Sequence, residues 1–291
     1  MDPERSARYR VGACDLTVVS DGFFLQDVGV IMGIVPRSVW EPAIGPPNER
    51  NLKPVDLNSL LVRSMGKTIL VDTGIGAKLN AVQRERYFPG NYGHLLRRLR
   101  ALGVQPDEVD AVVNSHLHFD HCGWNTADVH GRPLPTFPRA TYYIQRGEYD
   151  AATHPNERTR ATYLQENFTP LEENGQLTLL DDEFGITPEV RIVPTPGHTA
   201  DHCSVVVASG GETALFLGEM AQHAVQLERL PWISSFDIFP LVAMETKRTM
   251  LDRAVREQSL VFSVHAAFPG VGRLNDEDGR RSFVPVAPEG T

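Results

Sequence analysis

Residues 111–123 read Ala111-Val112-Val113-Asn114-Ser115-His116-Leu117-His118-Phe119-Asp120-His121-Cys122-Gly123, a β-branched run that passes into a loop holding three imidazoles and a carboxylate. In extended chain alternate side chains point the same way, so His116 and His118 can converge on one ion. Asp120 and His121 follow where the backbone must turn, and they can face a second ion beside the first. Imidazole nitrogen and carboxylate oxygen suit zinc, and iron or manganese as well. The chain has ten histidines, three of them between His116 and His121. Chance clustering on a polar loop is a poor account of that density.

Three further stretches end on ligand-type residues. Thr195-Pro196-Gly197-His198-Thr199 puts a histidine on a Pro-Gly turn after the run Val190–Pro194. Leu215-Phe216-Leu217-Gly218-Glu219 and Val261-Phe262-Ser263-Val264-His265 put a carboxylate and a histidine at strand ends. Any one of them reads more readily as a satisfied polar residue; the three together extend the ligand set. His202, inside an expected strand at 202–208, reads as a buried packing residue or as support behind the ligands. His94, His130 and His154 sit among polar or turn residues and read as solvated, and Cys122 as a structural thiol. Neither a Gly-x-Ser-x-Gly elbow nor a Gly-x-x-x-x-Gly-Lys-Ser/Thr loop occurs in the sequence, so the metals must supply the nucleophile.

Short apolar runs at 57–62, 68–71, 111–114, 140–144, 190–194, 204–208, 214–217 and 261–264 read as strands. Between them, Leu95, Leu99 and Leu102, and later Met244, Leu251 and Val255, have the spacing of helix faces that look into a core. Interleaved strands and helices argue for an α/β protein with sheets covered by helices. The chain reads as one domain over residues 1–291, with 1–50 a less regular N-terminal arm. The apolar run 28–35 in that arm could cover a core edge, wall a substrate pocket or pack against a second subunit.

Composition excludes several classes. Hydrophobic residues at 41% and charged residues at 22% match ordinary folded domains, so order is expected almost throughout. A formal net charge of −9 leaves no basic field for nucleic acid or an anionic membrane. No apolar run could span a bilayer, and the charged N-terminus lacks a signal core, so a cytoplasmic location is expected. Cys14, Cys122 and Cys203 are too few for a disulfide framework and read as reduced thiols.

His116 to His121 match the whole H-x-H-x-D-H motif of the metallo-β-lactamase superfamily, which the chain resembles over nearly its full length. Leu70-Val71-Asp72-Thr73-Gly74 resembles that family's Asp-Thr-Gly turn, Pro196-Gly197-His198-Thr199 its Pro-Gly-His-Thr turn, and His265 its last ligand. The resemblance implies an αββα sandwich with the metals at one edge between two sheets. It implies two divalent ions, zinc first with iron or manganese as alternatives: His116, His118 and His198 around one, and Asp120, His121 and His265 around the other. Glu219 takes the bridging position where the family normally has aspartate, which makes the second ion less secure. Asp72 is expected to support the metal loop through hydrogen bonds rather than to bind metal.

Val35-Pro36-Arg37, Gln222-His223-Ala224-Val225-Gln226, Trp232 through Asp237, and Phe268-Pro269-Gly270-Val271-Gly272 resemble the branch of acyl-homoserine-lactone lactonases and methyl parathion hydrolase-like phosphotriesterases. That branch implies a metal-activated hydroxide attacking a lactone or related ester of small size, with Asp120 orienting the nucleophile and receiving a proton. Phosphotriester or activated aryl ether hydrolysis is the alternative, as is a binding subunit that keeps the fold without catalysis. Gln222 stands where relatives often place a histidine or tyrosine near the substrate. His223 either substitutes for that residue or faces solvent. A homodimer or a complex with a related subunit is a further expectation of the resemblance.

Overall fold

Side-chain alternation along six strands sorts this chain into layers, because successive residues of a strand point to opposite faces. Leu60, Val62, Ile69, Val71, Ala111 and Val113 point inward and meet Val205, Val207, Ala214, Phe216, Leu260 and Phe262 of a facing sheet. The residues between them point outward: Leu61, Leu70 and Val112 on one side, Val206, Leu215 and Val261 on the other. Both sheets are thus buried on two faces. Fully burying a phenylalanine such as Phe216 or Phe262 contributes roughly 1.5–3 kcal/mol.

The computed structural model describes residues 5–290. The charged residues 1–4, part of the N-terminal stretch read above, lie outside the described residues. The strands are β1 (Ser6–Val11), β2 (Cys14–Asp27), β3 (Leu52–Ser64), β4 (Lys67–Val71), β5 (Gly90–Asn91), β6 (Ala111–Val113), β7 (Thr126–Val129), β8 (Arg132–Pro135), β9 (Thr141–Gln145), β10 (Leu177–Leu180), β11 (Phe184–Thr187), β12 (Val190–Pro194), β13 (Cys203–Ser209), β14 (Glu212–Phe216), β15 (Leu260–Phe262), β16 (Val271–Glu277) and β17 (Arg280–Pro285). One sheet runs β1-β2-β3-β4-β6-β9-β10, with β5 paired to β2, and the other runs β11 through β17 in order; β7 and β8 form a separate hairpin.

Helices close both outer faces. Leu95 and Leu99 of helix Leu95–Ala101 and Tyr149 and Ala152 of helix Arg146–Thr153 pack on the first sheet. Met250, Leu251 and Ala254 of helix Pro240–Glu257 pack on the second. The result is the αββα sandwich that the sequence implied. In the last helix Leu251 is buried and Val255 packs on the same core as expected, while Met244 is only half-buried and Ala243 and Lys247 also face inward.

The arm is more regular than its sequence suggested. Residues 6–27 form β1 and β2, and Val28–Met32 and Arg37–Ile44 are helices. Val28, Ile31 and Met32 are buried with Phe24, Trp40, Val55 and Leu57, so the apolar run covers an edge of its own core. Ile34 is the exposed large hydrophobic side chain of that run, at 96%.

Strand direction positions the site. β4 and β6 pair in parallel, as do β14 and β15. Their carboxyl ends and that of β12 therefore open toward one edge of the sandwich, the customary place for ligands in open α/β sheets. Asp72 follows β4, His116 to His121 follow β6, His198 follows β12, Glu219 follows β14 and His265 follows β15.

Candidate metal centre

The loop after β6 turns into a single helical turn at Phe119–Cys122, which carries Asp120 and His121 and leaves the His121 ring 4.1 Å from that of His116. Glu219 and His265 do not end strands as expected: β14 and β15 stop at Phe216 and Phe262, and each ligand-type residue stands on the turn that follows. Gly218 makes the first of these turns possible. Its φ is +57°, and a Cβ there would lie 2.5 Å from His202 Nε2 and 2.8 Å from Ser115 Cβ.

Seven side chains converge in overlapping groups: His116, His118 and His198; His116, His121 and Glu219; Asp120, His121 and His265. Within each group one ligand atom per residue lies within 4.8 Å of the others. His198 Nε2 is 3.0 Å from His118 Nδ1, and His265 Nε2 is 3.2 Å from His121 Nε2. Glu219 Oε2 is 2.5 Å from His265 Nε2 and 2.9 Å from His121 Nε2, while Asp120 Oδ2 is 3.6 Å from His265 Nε2.

The outward ring nitrogens are held by the protein, which fixes the tautomers by inference. His198 Nδ1 donates to Asp237 Oδ1 at 2.8 Å, His121 Nδ1 to Asp72 Oδ2 at 2.8 Å, and His265 Nδ1 to the Asp56 carbonyl at 2.8 Å. Ser115 Oγ donates to Asp72 Oδ2 and can accept from His116 Nδ1, 3.1 Å away. Lone pairs on Nε2 of His116, His121, His198 and His265 therefore face a shared space. His116 Nε2 is buried and has no hydrogen-bond partner. Such an orphan costs stability unless something accepts its lone pair. Ligands at about 2.0–2.1 Å around a tetrahedral ion stand roughly 3.3 Å apart, close to the observed nitrogen spacings. The donors fit divalent cations.

Electrostatics splits the histidines. Burial, reinforced by neighbouring imidazoles, lowers His116 and His118 well below the usual range, so both are neutral and able to donate a lone pair. Burial would also lower His121 and His265, but carboxylates raise them instead: Asp120 and Asp72 for His121, Glu219 for His265. Burial would raise Glu219, and His265 and His121 override it to hold the carboxyl well below its ordinary value. Burial raises Asp120 despite both imidazoles.

Asp72 lies as expected behind the ligands, accepting from Ser115 N at 2.7 Å as well as from His121. Its φ of +54° is unusual for a residue other than glycine and is held by those bonds. Gln222 is buried, with its amide between Glu219 and Ser234. His223 is half-buried rather than solvated: Nδ1 accepts from Val225 N at 3.2 Å, and burial lowers it to about 4. His202 is buried and accepts the Glu219 N–H at 3.0 Å, so it joins the metal edge to the Thr195 turn.

Sequence reading missed several supports. Asp237, in a segment singled out only for its resemblance, orients His198. Glu148 accepts from Leu117 N at 2.9 Å and Tyr163 OH at 3.1 Å beneath the His118 ring. Asp21 is wholly buried and accepts from Ile75, Gly76 and Leu95 N–H and from Trp124 Nε1. A cleft over the cluster is walled by Phe88, Phe119, Phe236 and Gln26 beside Asp120 and Gln222.

A two-sheet sandwich carrying imidazole and carboxylate donors at the carboxyl ends of its strands is the frame of a metal-dependent hydrolase. The chain belongs to the metallo-β-lactamase superfamily, whose family model matches residues 52–265. It is similar to an N-acyl homoserine lactonase of Bacillus sp, with 28% identity over 210 residues that span 68% of this chain and 76% of that protein. Among solved structures, a probable metal-dependent hydrolase from Staphylococcus aureus superposes with TM-score 0.87 at 22% identity, covering 97% of this chain and 99% of that one. A dizinc quorum-quenching lactonase, AidC, superposes with TM-score 0.80 at 19% identity, covering 97% of each chain. The chain is accordingly a metal-dependent hydrolase that binds divalent metal. Among the described residues no helix is long and apolar enough to cross a membrane.

Proposed function

We propose that this protein hydrolyses a lactone or a related small ester, using two divalent ions, zinc by preference. His116, His118 and His198 hold one ion; Asp120, His121 and His265 hold the other; Glu219 lies between the two groups. When bound, such ions supply a water whose pKa falls from 15.7 toward about 7. Asp120, which lines the cleft, would orient a nucleophilic water through its carboxylate and could accept a proton there. Phe88, Phe119 and Phe236 exclude solvent and offer an apolar wall to an acyl or aryl group. The amide of Gln26, whose Oε1 is buried without a partner, accepts a hydrogen bond from the substrate.

The convergence of three donor groups beneath an aromatic cleft carries this reading, and the similarity to N-acyl homoserine lactonases favours the lactone. The test is a panel of acyl-homoserine lactone, aryl ester, phosphotriester, aryl ether and β-lactam, run on zinc-reconstituted protein. The highest kcat/KM is expected on the lactone. Turnover of another class with none on lactones would overturn the substrate assignment.

A further inference from the structure

We infer that Gln222 is a positioning residue for the metal centre, which spends one oxygen of Glu219 so that the other alone faces the ions. The inference rests on the metal reading above.

The two oxygens of Glu219 have different surroundings. Oε2 faces His265 Nε2 at 2.5 Å and His121 Nε2 at 2.9 Å. Oε1 points the other way and accepts from Gln222 Nε2. The orientation of that amide is forced by chemistry. An ionised carboxylate only accepts, so the NH₂ of Gln222 must face it, and its carbonyl must then find a donor. Ser234 Oγ supplies one at 3.0 Å. The backbone of Gln222 is fixed as well: its N–H donates to Gln226 Oε1 at 2.7 Å, and Gln226 Nε2 donates to the Ile31 carbonyl at 2.8 Å. Glu219 and Gln222 are each 4% exposed, so water cannot readily take the place of either partner.

Among the described residues Gln222 alone meets that carboxylate oxygen, and it is held in turn by Ser234 and, through Gln226, by the Ile31 carbonyl. One N–H of Gln222 is committed to Glu219 and its carbonyl to Ser234, which fixes the orientation of the amide. Its role is to hold Glu219 as a single-oxygen donor. An aspartate at position 219 would draw the carboxylate back by about 1.5 Å, one C–C bond, and lose this partner.

Partners that orient a metal ligand typically change metal affinity 10–100-fold when removed. Zinc affinity and stoichiometry are measured by chelator competition and elemental analysis on wild type, Gln222→Met, Glu219→Asp and the double variant. Gln222→Met should weaken one of two zinc sites by about 10–100-fold. In the Glu219→Asp background, where the amide no longer reaches, the same substitution should change affinity less than about threefold. Ser234→Ala, which frees the Gln222 carbonyl, should weaken zinc in the same direction by less, and it keeps the test alive should Gln222→Met fail to fold. Equal losses in both backgrounds, or unchanged zinc binding in Gln222→Met or in Ser234→Ala, would overturn the positioning role alone. A wild-type chain that takes up no zinc would overturn the metal reading and this inference with it.

Discussion

If His198 holds an ion as proposed, replacing Asp237 with alanine should loosen it without touching any proposed ligand. The Asp237 carboxylate accepts from His198 Nδ1 at 2.8 Å, and both side chains are buried, so the bond sets the ring's plane and keeps the proton off Nε2. Loss of such a partner costs about 10–100-fold in metal affinity, which is about 1.4–2.8 kcal/mol at 1.4 kcal/mol per decade. Asp237→Asn leaves an acceptor oxygen in place and should lose less than about tenfold. Zinc competition against a chromophoric chelator gives the affinities. Melting curves with and without zinc give the same difference as lost stabilisation of the bound form. Alanine binding zinc as tightly as wild type, or asparagine falling as far as alanine, would refute the orientation argument.

Lys247 provides a pH test: burial lowers its ammonium to about 7, against about 10.4 for an unfolded lysine, and its Nζ donates to the Trp232 carbonyl. Between those values the unfolded chain holds a proton the folded chain has released, so this group makes stability rise with pH from about 7 to about 10. Urea melts across that range should show a flatter profile in Lys247→Met than in wild type; parallel profiles would reject it. Gly218→Ala should lose roughly 1–2 kcal/mol for its left-handed backbone and more for the contact with His202, measured by denaturant melts. Asp21→Ala would leave three buried N–H donors unpaired, at about 1–3 kcal/mol each, and free the part-buried Trp124 Nε1, and should give a chain largely unfolded by far-ultraviolet circular dichroism.

Much of the metal edge is legible because its chemistry is local. His116 to His121 lie within one loop, and His198, Glu219 and His265 each follow an apolar run that marks a strand. What escapes notice is whatever depends on a distant partner. Asp237 reads as an ordinary loop acid until the fold brings it to His198, and Asp21 until Leu95 and Trp124 fold over it. β2 is hidden for a related reason: buried Ser20 and Asp21 and a register shift at Gly22 interrupt the alternation that would announce a strand. The inward face of helix Pro240–Glu257 is only partly legible because one of its positions is Lys247, whose charge makes it look solvated. β16 and β17 carry few apolar residues, since polar side chains such as Asn275, Asp276 and Glu277 are exposed there.

The most direct test of the metal-hydrolase account is elemental analysis of the purified chain after reconstitution with zinc and exhaustive dialysis. Two zinc ions per chain are expected, with loss of at least one when His116 and His118 are both changed to alanine. A correctly folded wild-type chain that retains no metal would contradict the account.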